Sequence, residues 1–270
     1  MRRALFWSGL LCLSLSAVLL ARQSATGVKP KPWEKMLGTW KQLPPDHPIT
    51  LKVEPEGGGI KVSYGCKEDG SCSSSILANY AGNLSKYSDN ASWEASFRKM
   101  SDGTLQQDGY FHGKLDSTDK WQLSADRNTL TVANQIVSHP ESKTIRFVYN
   151  RSGGPVSNDP FIGFWKRDWD KSEANVTYSA KGEVFTATDL HGITDERHCD
   201  GKDHPNTFLT GVLYSCGFPD EHTYELVLKD KGKVVSVVTN RFSEDGKKMI
   251  RTTKNAEGKT TFESTYEKIE

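Results

Sequence analysis

The chain has little that would commit it to catalysis. It carries no Gly-X-Ser-X-Gly elbow, no His-Glu-X-X-His and no phosphate-cradling glycine loop, since Gly258-Lys-Thr260 lacks the upstream glycine of a P-loop. No catalytic residue and no cofactor-binding residue is therefore expected. Cysteine is scarce, with 5 in 270 residues, and no pair has the Cys-X-X-Cys spacing of thioredoxin-like chemistry or a zinc ribbon. Neither sign of charge dominates: 35 basic residues face 34 acidic ones, so there is no electrostatic footprint for nucleic acid. Nor does any stretch between Trp33 and Ile269 repeat with a helical period, which excludes a helical bundle.

The one long apolar run stands at the start. Met1-Arg2-Arg3 supplies a positive region, residues 4–20 are apolar apart from small Ser and Gly, and Arg22-Gln23-Ser24-Ala25 is a polar exit with small residues for cleavage. Residues 1–25 read as a signal peptide, which implies a secreted or periplasmic protein without stable membrane insertion after cleavage. Cys12 follows Leu11, whereas a lipid-modified cysteine needs a small neighbour there. Removing residues 1–25 takes away three arginines and no acids, leaving 32 basic and 34 acidic residues. Four cysteines remain, Cys66, Cys72, Cys199 and Cys216. They allow three connectivities, and the reading adopted is one local disulfide in each half, as suits an exported chain.

What is present in abundance is period-two alternation. In residues 260–268, Phe262, Ser264 and Tyr266 share one face and Glu263, Thr265 and Glu267 the other; Ile145, Phe147 and Tyr149 repeat the pattern. Strands are expected at residues 49–54, 60–64, 93–99, 121–125, 129–134, 144–150, 223–229, 233–242, 247–254 and 260–268. Turn residues such as Gly57-Gly-Gly59 and Asp230-Lys-Gly232 separate them at hairpin spacing. The fold class is all-β and antiparallel. Such a chain hides its edges by closing into a barrel or by stacking two sheets, and patterning leaves that choice open.

The alternation is written twice. Gly38-Thr39-Trp40 recurs 125 residues on as Gly163-Phe164-Trp165, the turn Ser124-Ala-Asp126 recurs 119 on as Ser243-Glu-Asp245, and Tyr149 recurs 117 on as Tyr266. Between the copies, residues 152–160 are rich in Gly, Pro, Ser and Asn and read as a linker. The domains expected are residues 33–151 and 161–270, each able to fold alone.

Gly38-Thr39-Trp40 and Gly163-Phe164-Trp165 resemble the Gly-X-Trp first strand of the calycins, the lipocalins and their fatty-acid-binding relatives. Thr265-Tyr266-Glu267-Lys268 resembles the last strand of the fatty-acid-binding branch. Asp200-Gly-Lys-Asp-His204, Gly232-Lys-Val-Val235 and Ser243-Glu-Asp-Gly-Lys247 look like segments of exported bacterial proteins with lipocalin-like domains. The resemblance implies two tandem up-and-down barrels and a cavity for a small apolar ligand. It is imperfect. The arginine that packs over the tryptophan in the relatives would fall at Phe147 or Ser264, Arg146 should face outward, and no two-helix lid follows Trp40, where Pro44-Pro45 intervenes.

Trp40 and Trp165 read as core residues first. The ligand-pocket candidates are Trp165, Phe262 and Tyr266, placed in the second barrel. The alternative is an exported structural or interaction protein whose barrels are filled by their own side chains. His198-Cys199-Asp200-Gly-Lys-Asp203-His204 reads as a solvated loop and not as a metal site.

Overall fold

The computed structural model describes residues 33–45, 50–90, 92–172, 174–181, 184–207 and 209–270. The expected signal peptide with Cys12, and the expected strand start at Ile49, lie outside the described residues. Every regular element described is a strand. The first ten are β1 (Gly38–Gln42), β2 (Thr50–Glu56), β3 (Gly59–Cys66), β4 (Ser74–Ala78), β5 (Ser85–Lys86), β6 (Trp93–Lys99), β7 (Leu105–Phe111), β8 (Lys114–Leu123), β9 (Thr129–Ile136) and β10 (Ile145–Gly153). The second ten are β11 (Gly163–Asp168), β12 (Asn175–Lys181), β13 (Val184–Thr188), β14 (Thr194–Arg197), β15 (His204–Pro205), β16 (Val212–Asp220), β17 (Thr223–Asp230), β18 (Lys233–Phe242), β19 (Lys248–Asn255) and β20 (Thr260–Lys268). No helix among the described residues is long and apolar enough to cross a membrane.

The strands form two ten-stranded antiparallel sheets, each curled into a barrel or half-barrel. One runs β4-β3-β2-β11-β10-β9-β8-β7-β6-β5, the other β14-β13-β12-β1-β20-β19-β18-β17-β16-β15. In the first, the edges meet: Ser88 N donates to Ser75 O at 2.8 Å and Ser75 N to Ser88 Oγ at 2.9 Å. Alternation sets what each sheet buries. In β20, Ser264 and Tyr266 are buried while Glu263 and Glu267 are exposed, and Arg146 of β10 faces outward.

The two strand orders are one order written twice, with the opening strands traded. β1 lies between β12 and β20, with Trp40 opposite Val176 and Lys268. β11 lies between β2 and β10, with Trp165 opposite Leu51 and Arg151. The sheets therefore do not follow the divisions at 33–151 and 161–270: β1 belongs to the sheet of β12–β20 and β11 to the sheet of β2–β10. The physical reason is local. β10 and β11 are joined by a connection short enough to make them a hairpin, and chain neighbours tend to pair. That places β11 where β1 would otherwise sit and leaves β1 to close the second sheet. The stretch 152–160 is correspondingly less of a linker than its composition suggests. Ser152 and Gly153 belong to β10, and Asp159 accepts hydrogen bonds from Tyr80 at 2.5 Å and Lys99 at 3.0 Å in the first barrel.

The exchange explains the Gly-X-Trp tripeptides. A Cβ on Gly38 would lie 2.1 Å from the backbone oxygen of Glu270, so only glycine lets the chain end approach there, while one on Gly163 would lie 2.3 Å from the Arg151 guanidinium that covers Trp165. Both tryptophans are 0% exposed. Trp40 Nε1 donates to Met36 O at 2.8 Å and Trp165 Nε1 to Phe161 O at 3.1 Å, the same four-residue reach in each. A cation from the last strand covers each ring: Lys268 Nζ is 5.0 Å from the Trp40 ring centre and Arg151 Cζ is 4.1 Å from that of Trp165. The basic residue sought two positions before Tyr149 and Tyr266 is thus found two positions after them. Lys268 Nζ also donates to Lys35 O, and Arg151 to Pro160 O and Ile162 O.

The cysteines pair locally, Cys66 with Cys72 and Cys199 with Cys216, at sequence separations of 6 and 17. Restricting the unfolded chain over those loops contributes about 2 and about 3 kcal/mol. Non-reducing peptide mapping is expected to recover these two linkages. Replacing Cys199 and Cys216 by Ala should lower unfolding free energy more than the same change at Cys66 and Cys72, read by urea titration.

Candidate functional site

Inward-facing positions set the character of a barrel's interior, and the two interiors carry different side chains. In the second, the interior is occupied by a polar network among apolar rings. Asn240, 0% exposed, donates to Tyr178 OH at 3.1 Å and accepts from Arg251 Nε at 3.0 Å, while Arg251 also bonds Tyr178 OH. Arg197 pairs with Asp195 at 2.5 Å and donates to Tyr224 OH at 2.8 Å. Phe185, Met249, Tyr266 and Phe242 pack around them.

The first barrel keeps a pocket of about 440 Å³, lined by Tyr64, Ser74, Tyr87, Asp89, Asn90, Trp93, Gln107, Gly109, Ser117 and Asp119. Alternation puts these side chains there. On β3, Tyr64 continues the inner face of Ile60 and Val62; on β8, Ser117 and Asp119 precede the buried Trp121 on one face. Gly109 leaves room on β7, since a Cβ there would come within 2.6 Å of Ser117 Oγ. Gln107, 5% exposed, fixes two rings: Tyr64 OH donates to its Oε1 at 3.2 Å and its Nε2 donates to Tyr87 OH at 2.8 Å. Trp93 is held against Phe111 with ring centres 5.0 Å apart.

Asp119 is the site's half-buried carboxyl. Asn134 of β9 donates to its Oδ1 at 2.5 Å, and Asn134 Oδ1 in turn lies 2.6 Å from Nε2 of His191, which belongs to the loop after β13. The pocket carboxylate is thereby tied to the second barrel, where Lys143 N also donates to His191 O at 3.0 Å. Burial pushes the Asp119 carboxyl up to about 6, against the Asn134 hydrogen bond and the charge of His191, with Asp108 adding to the rise. The Tyr87 phenol is pushed up to about 12, again chiefly by burial, and Tyr64 is raised for the same reason. Because the folded state holds the Asp119 proton to a higher pH than the unfolded state does, this residue's contribution falls as pH rises from about 4 to about 6. Across that window Asp119→Asn should gain about 2–3 kcal/mol of stability relative to the native chain. Urea unfolding of both proteins at pH 4 and pH 7 checks the difference; equal offsets at the two values would show an ordinary carboxyl.

The ligand-pocket candidates from the sequence are not brought together. Trp165 belongs to the core of the first sheet with Leu51, Val53 and Trp121, whereas Tyr266 belongs to the core of the second and Phe262 is half-buried on the same strand. The strand exchange puts Trp165 in one sheet and Phe262 and Tyr266 in the other, and none of the three lines the pocket of the first barrel. The signal for the residues that do line it was the inward run Ser117, Asp119, Trp121, an acid on the face of a buried tryptophan. In the His198–His204 stretch, His204 Nε2 lies 2.9 Å from Asp200 and Lys229 Nζ 2.6 Å from Asp203. Among the described residues no group of three or more His, Cys, Asp or Glu is placed to hold a metal ion. The chain matches no family model, no curated protein and no solved structure.

Proposed function

We propose that the protein is an exported, non-catalytic binding protein whose first barrel takes a small amphipathic molecule, while its second is a structural scaffold. The observation that carries this reading is the aromatic and polar pocket of about 440 Å³, within the range of roughly 300–1,000 Å³ usual for small-molecule sites. Three rings offer apolar area, and Gln107 and Asp119 offer fixed polar atoms that orient a ligand. Export is supported by the apolar amino-terminal segment together with two disulfides. A lipocalin-like ancestry with internal duplication is supported by the shared strand order, the Gly-X-Trp strands and the basic residue over each tryptophan. The hydrogen-bonded network of Tyr178, Asn240 and Arg251 inside the second barrel favours, for that half, the structural reading.

Titration with a neutral environment-sensitive fluorophore tests the proposal. Saturable binding is expected in the native protein, at least tenfold weaker in Trp93→Ala and little changed in Tyr266→Phe. Binding that is insensitive to Trp93, or no saturation at all, would favour a protein whose barrels serve only as rigid surfaces.

A further inference from the structure

Resting on the reading of the first barrel as a binding site, we infer that its ligand is a cation with an aromatic or similarly flat apolar body, held by Asp119. The lining of the pocket carries two carboxylates, Asp119 and Asp89, and no Lys, Arg or His among the described residues. The two acids differ. Asp89 is exposed and accepts a hydrogen bond from Ser74 at the rim. Asp119 lies deeper, and only its Oδ1 is occupied, by Asn134; among the described residues Oδ2 accepts no hydrogen bond.

Three ligand charges can be weighed against that arrangement. An anion would bring like charge to Asp119 in a partly desolvated site, where repulsion is poorly screened. A neutral apolar ligand would strip the remaining water from Oδ2 and replace it with nothing, which costs the full desolvation of an acceptor. A protonated amine or amidine supplies both the missing hydrogen-bond donor and the opposite charge. The rings complete the preference. Tyr64 and Tyr87 stand with centres 6.0 Å apart and Trp93 borders the same space, so aromatic rings, which attract cations, line the site beside the carboxylate. Gln107 uses both of its amide atoms to hold the two tyrosines, so the aromatic walls stand in place before a ligand arrives. His191 touches this site only through Asn134, and so steadies the carboxylate from behind without occupying the ligand's place.

The test uses three probes that share one indole body: tryptamine, tryptophol and indole-3-acetate. Titrated calorimetrically into the full protein at pH 7.5, tryptamine is expected to bind at least tenfold more tightly than tryptophol, with indole-3-acetate weakest. In Asp119→Asn the tryptamine advantage should fall to less than threefold while tryptophol is unchanged, and Asp119→Glu should restore part of it. Equal affinities, or a preference for the anion, would overturn the cation assignment and leave the binding reading standing. A tryptamine preference that survives in Asp119→Asn would overturn the role of this carboxylate. If none of the three saturates, both the cation and the pocket reading fall. The ranking within the native protein decides the ligand's charge even where a variant fails to fold, and Asp119→Glu then stands in for Asp119→Asn in testing the carboxylate, its longer side chain being expected to weaken the tryptamine preference.

Discussion

A protein cut once in the exposed turn at residues 154–157 is expected to remain one species under native conditions and to come apart only in denaturant. The turn itself offers no resistance, since Gly154, Pro155 and Ser157 are exposed and Val156 is fully so. What holds the halves is the exchange: the amino-terminal piece contributes β1 to the second sheet, and the carboxy-terminal piece contributes β11 to the first. Separation would strip a central strand, with its backbone ladder on both sides, out of each barrel. It would also expose Trp40 and Trp165, each 0% exposed in the intact protein. Losing a buried tryptophan alone costs about 3–5 kcal/mol, so two lost together would hold the pieces at micromolar concentration. A specific protease site placed at Val156, followed by size exclusion and then the same column in urea, reads this directly. Two halves that separate without denaturant, each with its own cooperative thermal transition, would mean that residues 33–151 and 161–270 fold as independent barrels after all.

Trp165→Ala is expected to loosen the first sheet, not the one formed by most of its own sequence copy. The ring packs against Leu51, Val53 and Trp121, donates to Phe161 O and lies beneath Arg151, so truncation leaves a cavity and an unroofed guanidinium. The cost should be about 3–5 kcal/mol. Hydrogen exchange localises it: amides of residues 50–153 should lose protection while those of 174–270 keep most of theirs. Trp40→Ala should do the reverse, because its ring packs with Phe242 at 5.6 Å and with Val176 and Tyr178 of the second sheet. Protection lost mainly in residues 174–270 of Trp165→Ala would contradict the exchanged topology.

Both expectations run against a reading of the sequence in simple halves, and the reason is physical. The two opening strands present the same Gly-X-Trp to whichever sheet receives them. Each has a glycine packed closely against the chain that follows or precedes it and a fully buried indole. Patterning on β1 and β11 is therefore equally satisfied in either barrel, and only the connections decide between them. The displaced base shows the same limit. Arg151 closes the expected first domain directly before the segment read as linker, yet β10 continues past it to Gly153, and its guanidinium covers Trp165 while donating to Pro160 O and Ile162 O.

The site was legible only in fragments. Tyr64 and Trp93 stand on expected strands, but Asp119 precedes the strand expected at 121–125, and 20 positions separate contributors such as Tyr87 and Gln107. Alternation tells which face a side chain takes, not which side chains meet across a closed sheet or whether the space between them is filled.

By itself the sequence determined the all-β class, most strand positions and the turns between them, and it left three cysteine connectivities open, of which the structure holds the local one, Cys66 with Cys72 and Cys199 with Cys216. The class, strands and turns follow from short-range rules: period-two burial and turn chemistry. Tertiary structure alone decided which barrel each opening strand completes, and that one interior is packed with Arg251, Asn240 and Tyr178 while the other holds a pocket around Asp119. Those outcomes depend on how strands from distant parts of the chain close around a common volume, and no local pattern records the size of that volume.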